Sequence, residues 1–410
     1  MTEHMVVIGA GEAGARAAMA LRENGFAGTI TLIGDEHHLP YERPPLSKAV
    51  LTGAEEPAPP HILDEARLAA RGVSLLHGTA AIAIDRAGHR VALAGSDAVP
   101  YDRLLIATGA RARRLAVPGT GPETVHYLRS FPEALALRRR LVPGHRLIVI
   151  GGGFIGLELA AAARARGADA TVIEMAPRLL GRAVPQEFAA LLAARHEAEG
   201  VRLVLGATID RIETTAEAHS VVLGSGEIIT GDTIVAGIGA LPETALAEAA
   251  GLAIDNGIAV DASLATDDPD IFAAGDCCSF PHPLYDGRRI RLEAWRNAQD
   301  QGNAVAKAML GGREPYEAVP WFWSDQYDLT LQIAGLSYLA TATVTRDLGD
   351  GARLDFHLAD DGRLVSASAL GPNGRIARDV RLAEMLIARR ARPPAADLAD
   401  PATKLKSLMV

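Results

Sequence analysis

The sequence predicts an α/β fold: two like units built on parallel sheets, followed by a small α+β domain. Three observations carry this. A glycine fingerprint occurs twice, as GAGEAG at residues 9–14 and GGGFIG at residues 151–156. Each copy follows a short apolar run (5–8, then 147–150) and opens into an Ala-rich stretch of helical character. Beyond about Tyr316 the alternation of strand and helix patterns gives way to consecutive strand patterns. The fingerprint is the one that Rossmann-like units use to hold dinucleotides. Its first glycine permits a tight turn, the second lets backbone approach a pyrophosphate, and the third lets helix pack on strand. The pyrophosphate then meets the N–H groups of the helix N-terminus. One copy is a weak signal. Two copies, each with an acidic residue downstream, point to two dinucleotides, a flavin and a nicotinamide.

Taken in order, the first alternating unit runs from Met5 to about Gly109 and closes with the apolar strand 104–107. The second runs from Leu147 to about Gly239 and ends in the apolar strand 234–239. A third apolar strand, 271–274, leads into Gly275 and Asp276. Such alternation implies parallel sheets with helical crossovers. Segments 329–336 and 340–345 then read as strands. Segments 353–358 and 364–369 flank an Asp361–Gly362 turn signal, which predicts a hairpin. Residues 375–390 read as an amphipathic helix, and the Pro- and Ala-rich tail from Arg392 as irregular.

A chain of 410 residues with 49% hydrophobic content is too long for one ordinary core and too apolar for disorder. The longest apolar run, 147–163, is broken by glycines and Glu158, a poor bilayer span. No signal-peptide core precedes the first strand, and two adjacent cysteines, Cys277 and Cys278, cannot build a disulfide framework. These features predict a cytoplasmic enzyme without a membrane segment. The net charge of −9 argues against a nucleic-acid surface. Locally basic runs at 111–114, 138–140 and 288–291 read either as solvated faces or as a dock for an acidic protein.

In such units a carboxylate at the end of the second strand accepts hydrogen bonds from the adenosine ribose. Asp35 fits the first unit, with Glu36 as its competitor, and Glu174 fits the second. A carboxylate there also repels the 2′-phosphate of NADP, by about 4 kcal/mol per unit charge pair at 4 Å and an effective dielectric near 20. NADH is therefore expected over NADPH, although Arg178 and Arg182 follow closely enough to meet a phosphate.

The segment LPYERPPLSK at 39–48, GDC at 275–277, EAWRNA at 293–298 and PWFWSDQY at 320–327 closely resemble the FAD-dependent ferredoxin reductases of bacterial oxygenase systems. The resemblance covers essentially the whole chain. It implies a glutathione-reductase-like architecture: an FAD domain split as 1–110 and 240–316, an inserted NAD domain at 111–239, and a C-terminal domain at 317–410. For FAD it implies Gly9, Gly11, Ala13, Gly14, Asp35, Arg43, Lys48, Ala81, Arg129, Asp276, Trp295 and Trp323. For NAD, the second fingerprint and its surroundings supply Gly151, Gly153, Ile155, Gly156, Glu158, Glu174 and Gly239. It also pairs Lys48 with Glu158 near the reactive nitrogen of the flavin, where the two orient and polarise the site. The alternative reading of Asp276, following an apolar strand, is a plain helix N-cap, and that of Glu158 is a helix-dipole partner.

Related flavoproteins that reduce disulfides carry a redox cysteine pair near the flavin; here the corresponding segment holds Pro44, Pro45 and Lys48. Neighbouring Cys277 and Cys278 are read as small buried residues. A [2Fe–2S] cluster needs four thiolates, so the one-electron acceptor must be a separate protein, unless electrons go straight to a small oxidant. No histidine cluster has metal-ligand spacing, so no metal site is expected. The expected activity is an NADH-dependent reductase of a [2Fe–2S] ferredoxin that serves an oxygenase, either a cytochrome P450 or an aromatic-ring dioxygenase. The family favours a monomer. Arg288, Arg289, Arg291 and Arg313 are candidate docking residues. A rubredoxin reductase or NADH oxidase on the same scaffold is the alternative, followed by a redox-controlled binding protein like the apoptosis-inducing factors.

Overall fold

Apolar runs bounded by glycine become the central strands of two parallel sheets of five strands each. The computed structural model describes residues 3–181 and 184–409. It separates into one unit of Met1–Glu42, Pro59–Arg111 and Leu241–Phe322, and a second of Arg43–Ala58, Ala112–Ala240 and Trp323–Val410.

In the first unit the sheet order is Ile271–Ala273, Arg103–Ile106, His4–Ile8, Thr29–Ile33 and Val73–Leu76, with every pairing parallel. The first fingerprint strand, His4–Ile8, is central, and all but its first residue are buried. The fingerprint helix Glu12–Glu23 packs on helix Trp295–Met309. The approach is close: a Cβ on Gly302 would stand 2.7 Å from the carbonyl oxygen of Ala13.

The second unit repeats the arrangement. Its sheet runs Arg202–Leu205, Asp169–Glu174, Arg146–Ile150, Thr233–Ala236 and Val125–His126, again parallel. The fingerprint helix is Phe154–Ala165. The same unit carries an antiparallel sheet in the order Trp321–Gln326, Leu329–Gly335, Leu364–Pro372, Ala352–Leu358 and Ala342–Gly349. Helix Ala377–Ala388 lies against it.

Three sequence expectations need correction. Strand–helix alternation is interrupted in each unit by a three-stranded antiparallel meander, Ala81–Asp85 to Ser96–Pro100 and Ile209–Thr214 to Ile228–Gly231. Strand Trp321–Gln326 was not anticipated, because its polar residues mask a period-two pattern. The tail from Arg392 is ordered: helix Ala395–Ala399 and the turn Leu405–Leu408 bury Leu398 and Leu405. Arg346 holds that tail by donating to the carbonyls of Asp397, Leu398 and Thr403. The 361–362 hairpin forms as expected. Among the described residues, no helix is long and apolar enough to cross a membrane.

Candidate dinucleotide and redox site

The two fingerprints have nearly superposable backbone logic. Gly9 and Gly151 both adopt φ +107°, a conformation L side chains rarely reach. Their amides donate to Ile33 and Ile173 at 2.8 Å. A Cβ on Gly14 would overlap the Gly9 carbonyl oxygen, and one on Gly156 would overlap that of Gly151. The middle glycines face open space. No atom lies within 4 Å of a Cβ placed on Gly11, and only the Gly237 oxygen, at 3.9 Å, approaches one on Gly153. Neither helix start is capped by a side chain. Each therefore presents helix-terminal N–H groups beside a cleared backbone, a cradle that fits a pyrophosphate.

The carboxylates that follow differ. Glu174 ends its strand, and its carboxylate accepts from the amides of Gly152 at 2.6 Å and Ala176 at 2.7 Å. In the first unit the residue in the same register position is Gly34, because Ile33 pairs with Ile8 as Ile173 pairs with Ile150. Asp35 lies one residue further and is exposed, and Glu36 accepts from the Tyr41 hydroxyl at 2.6 Å. The Arg178 guanidinium donates to the carbonyls of Gly181 and Val184, so its own loop holds it. Arg182 lies outside the described residues.

Lys48 and Glu158 meet within the second unit, Nζ to Oε2 at 2.8 Å. Glu158 is the fifth residue of its helix, one turn in, and only 4% exposed. It is thus a buried ion-pair partner and does not sit at the helix terminus. Two hydroxyls that sequence reasoning missed complete its shell: Ser47 donates to Oε2 at 2.5 Å and Ser324 to Oε1 at 2.6 Å. Lys48 Nζ also lies 5.9 Å from the Trp323 ring centroid, while the Trp323 indole donates to Asp325 at 3.0 Å. Arg43 donates to the Arg129 carbonyl at 2.7 Å, so these two candidates are neighbours. Gly239 has φ +102° and open space around it, and Ile155 is 46% exposed in the first helical turn. Met175, beside Glu174, is 73% exposed and was also missed. An exposed apolar residue at a strand end is the signal that would have found it.

In the first unit, Ala13 is buried in the fingerprint helix, Ala81 opens a meander strand, and Trp295 starts its helix. Asp276 is not an N-cap. It lies in a turn between strands Ile271–Ala273 and Cys278–His282, and Ala294 occupies the N-cap of the next helix. In space its neighbour Gly275 still abuts both helix starts: a Cβ there would stand 3.0 Å from Ala13 and 4.0 Å from Ala298. Glu12, the first residue of the fingerprint helix, is a further acid. Burial, reinforced by Glu42, pushes its carboxyl up to about 7, and its Oε2 is buried without a hydrogen-bond partner.

Of the basic candidates, Arg288 and Arg313 are exposed. Arg289 donates to the carbonyls of Ser279 and Val260, and Arg291 pairs with Glu293 at 2.6 Å. Among the described residues, no group of His, Cys, Asp and Glu has the makings of a metal site.

The pyridine nucleotide-disulphide oxidoreductase model matches residues 3–302, and a reductase C-terminal model matches 321–409. The chain belongs to the pyridine nucleotide-disulphide oxidoreductase family. It is 41% identical to the ferredoxin–NAD(+) reductase component of the anthranilate 1,2-dioxygenase system of Burkholderia cepacia, over 98% of each chain. It is 43% identical to rhodocoxin reductase of Rhodococcus erythropolis, over 83% of this chain and 80% of that one. Among solved structures, the ferredoxin reductase for the CYP199A2 system of Rhodopseudomonas palustris matches with a TM-score of 0.94 and 36% identity, covering 100% of both chains. Against the disulphide chemistry in the family's name, Cys277 and Cys278 are buried free thiols in the core of the first unit.

Proposed function

We propose that this chain is an NADH-dependent ferredoxin reductase that supplies electrons to an oxygenase through a separate [2Fe–2S] ferredoxin. The observation that carries it is the pair of open fingerprint cradles together with the Lys48–Glu158 pair, in which three donors converge on one buried carboxylate. Bound FAD would supply the chemistry that couples two-electron hydride transfer from NADH to one-electron delivery to the ferredoxin. To FAD we assign Gly9, Gly11, Ala13, Gly14, Asp35, Arg43, Lys48, Ala81, Arg129, Asp276, Trp295 and Trp323. To NADH we assign Gly151, Gly153, Ile155, Gly156, Glu158, Glu174 and Gly239. On this reading 1–110 with 240–316 is the FAD domain, 111–239 the NAD domain and 317–410 the C-terminal domain.

The residues act by binding and orienting. The cleared glycines admit phosphate to the helix-terminal amides. Glu174, already held by two amides, presents its remaining lone pairs to ribose hydroxyls and repels a 2′-phosphate. The exposed apolar surfaces of Ile155 and Met175 suit an adenine or ribose face. Lys48, fixed by Glu158, places a positive charge where electron density rises on reduction. Arg288, Arg289, Arg291 and Arg313 are the candidate docking charges for an acidic ferredoxin, and Arg288, Arg289 and Arg313 are exposed. Buried, unpaired thiols agree with a cytoplasmic location, and we expect a monomer, which sedimentation tests.

The deciding experiment is reduction of a panel of [2Fe–2S] ferredoxins by the purified yellow protein, with NADH and NADPH in parallel. Rapid NADH-dependent ferredoxin reduction is expected, with turnover falling as salt rises. Preferential reduction of rubredoxin or of oxygen would replace the acceptor and keep the rest.

A further inference from the structure

Glu158 is the end of a longer buried chain, and the direction of every hydrogen bond in that chain is determined. A carboxylate only accepts, so the Ser324 hydroxyl must donate to it, at 2.6 Å. The Ser324 oxygen then accepts from the Gln326 amide nitrogen at 3.1 Å. That turns the Gln326 carbonyl toward His196 Nε2, 2.8 Å away. A carbonyl cannot donate, so Nε2 carries the proton and Nδ1 is a lone pair. The Tyr327 hydroxyl, 3.1 Å from Nδ1, donates to it. Four side chains from two stretches of sequence thus point one way, toward Glu158. Ser324, Gln326 and His196 are 1%, 2% and 0% exposed, so water does not compete for these bonds.

Strand geometry explains the placement. Ser324 and Gln326 are two apart on strand Trp321–Gln326 and share a face, while Trp323 and Asp325 pair on the other. Tyr327 follows at φ +57°, left-handed backbone that a bulky residue rarely adopts. It is held there by His196 and by the Arg195 guanidinium, 4.9 Å from its ring centroid. The charged groups around this end are Arg195, with its partners Glu199 and Asp328, and Arg164. At the other end, Lys48 faces Glu158. Burial lowers the His196 pKa, which agrees with a neutral ring.

We propose that Ser324, Gln326 and His196 are positioning residues that aim the Glu158 carboxylate, and through it Lys48, for reduction of the bound flavin. This rests on the reading of Lys48 and Glu158 given above, and the test separates the two. Holoenzyme variants are reduced anaerobically with NADH, and the flavin absorbance is followed over pH 6 to 9. Glu158→Gln should slow reduction at least thirtyfold; an unchanged rate overturns the Lys48–Glu158 reading itself. Given that loss, Ser324→Ala and Gln326→Leu should each slow reduction about tenfold at normal FAD content. Gln326→Glu is the sharper variant. Its new carboxyl, when protonated, can still donate to Ser324 and accept from His196, and when ionised it cannot donate. Its rate should approach the wild type at low pH and fall at least fivefold as pH rises, which a packing role does not produce. Independently of turnover, 15N-histidine NMR of the wild-type protein, with His196→Gln for assignment, should show His196 neutral with its proton on Nε2. An Nδ1-protonated or charged ring, or rates within twofold of wild type in both Ser324→Ala and Gln326→Leu, overturns the proposal.

Discussion

The two fingerprints share a backbone and differ in how each handles the acidic residue beside it. In the second unit, Glu174 reaches into the glycine loop and binds the Gly152 amide, and Gly152 leaves room: a Cβ there would stand 3.2 Å from Glu174 Cβ. In the first unit the register partner is Gly34, and Ala10 fills the space instead, 2.7 Å from where a Gly34 Cβ would be. One member of each pair is small. The carboxylate is built into the loop in one unit and displaced to exposed Asp35 in the other. Helix residues two past each fingerprint diverge as well. Arg16 makes a half-exposed ion pair with Glu23, while Glu158 is buried against Lys48. A common binding scaffold thus carries a preorganised acid and a buried charge pair in only one of its copies.

The largest effects should come from breaking each copy in turn. Gly156→Ala should leave a yellow protein with normal FAD content whose reduction by NADH is slowed more than a hundredfold, about 2.7 kcal/mol. Gly14→Ala should yield colourless protein. Absorbance at 450 nm relative to 280 nm, followed by stopped-flow reduction, checks both; loss of FAD in Gly156→Ala would remove the division of labour. Next, Lys48→Met should slow flavin reduction by roughly tenfold to a hundredfold. Arg16→Gln, at the paired helix position in the first unit, should change stability by less than about 1 kcal/mol and leave reduction kinetics alone.

How much of this was legible depended on range. The fingerprints, Glu174 and the 361–362 hairpin are local patterns, readable within a few residues. Lys48 and Glu158 lie 110 positions apart and were paired only through resemblance to a family. His196 and Gln326 are further apart still, and no periodicity in either segment signals the other. The N-cap alternative for Asp276 fails because Gly-Asp after a strand looks the same whether a helix or another strand follows. The ordered tail was hidden because its anchor, Arg346, lies some fifty residues upstream.

Smaller effects sharpen the contrast between the acids. Glu174→Gln should raise the KM for NADH about tenfold, roughly 1.4 kcal/mol, and narrow the preference over NADPH. Asp35→Asn should weaken FAD binding only a few-fold, measured by flavin fluorescence on dilution. Comparable losses in both would mean that the amide clamp on Glu174 is unimportant. A further effect, on stability alone, concerns Glu12. Its folded pKa is raised from 4.5 to about 7, so the folded state holds a proton that the unfolded state has released. The resulting penalty is absent below about 4.5, grows as pH rises and is complete above about 7. Glu12→Gln should therefore match the wild type in thermal melts near pH 4 and gain up to about 2 kcal/mol, a few degrees, at pH 8.5.

The core location of Cys277 and Cys278 has a practical corollary. Burial raises both thiols, Cys278 well above its ordinary value, so maleimides and iodoacetamides should ignore the native fold. A single cysteine introduced on the surface would then be the one handle that a spin label or fluorophore finds. Distances to a docked ferredoxin become measurable without first stripping the protein of its own sulfur.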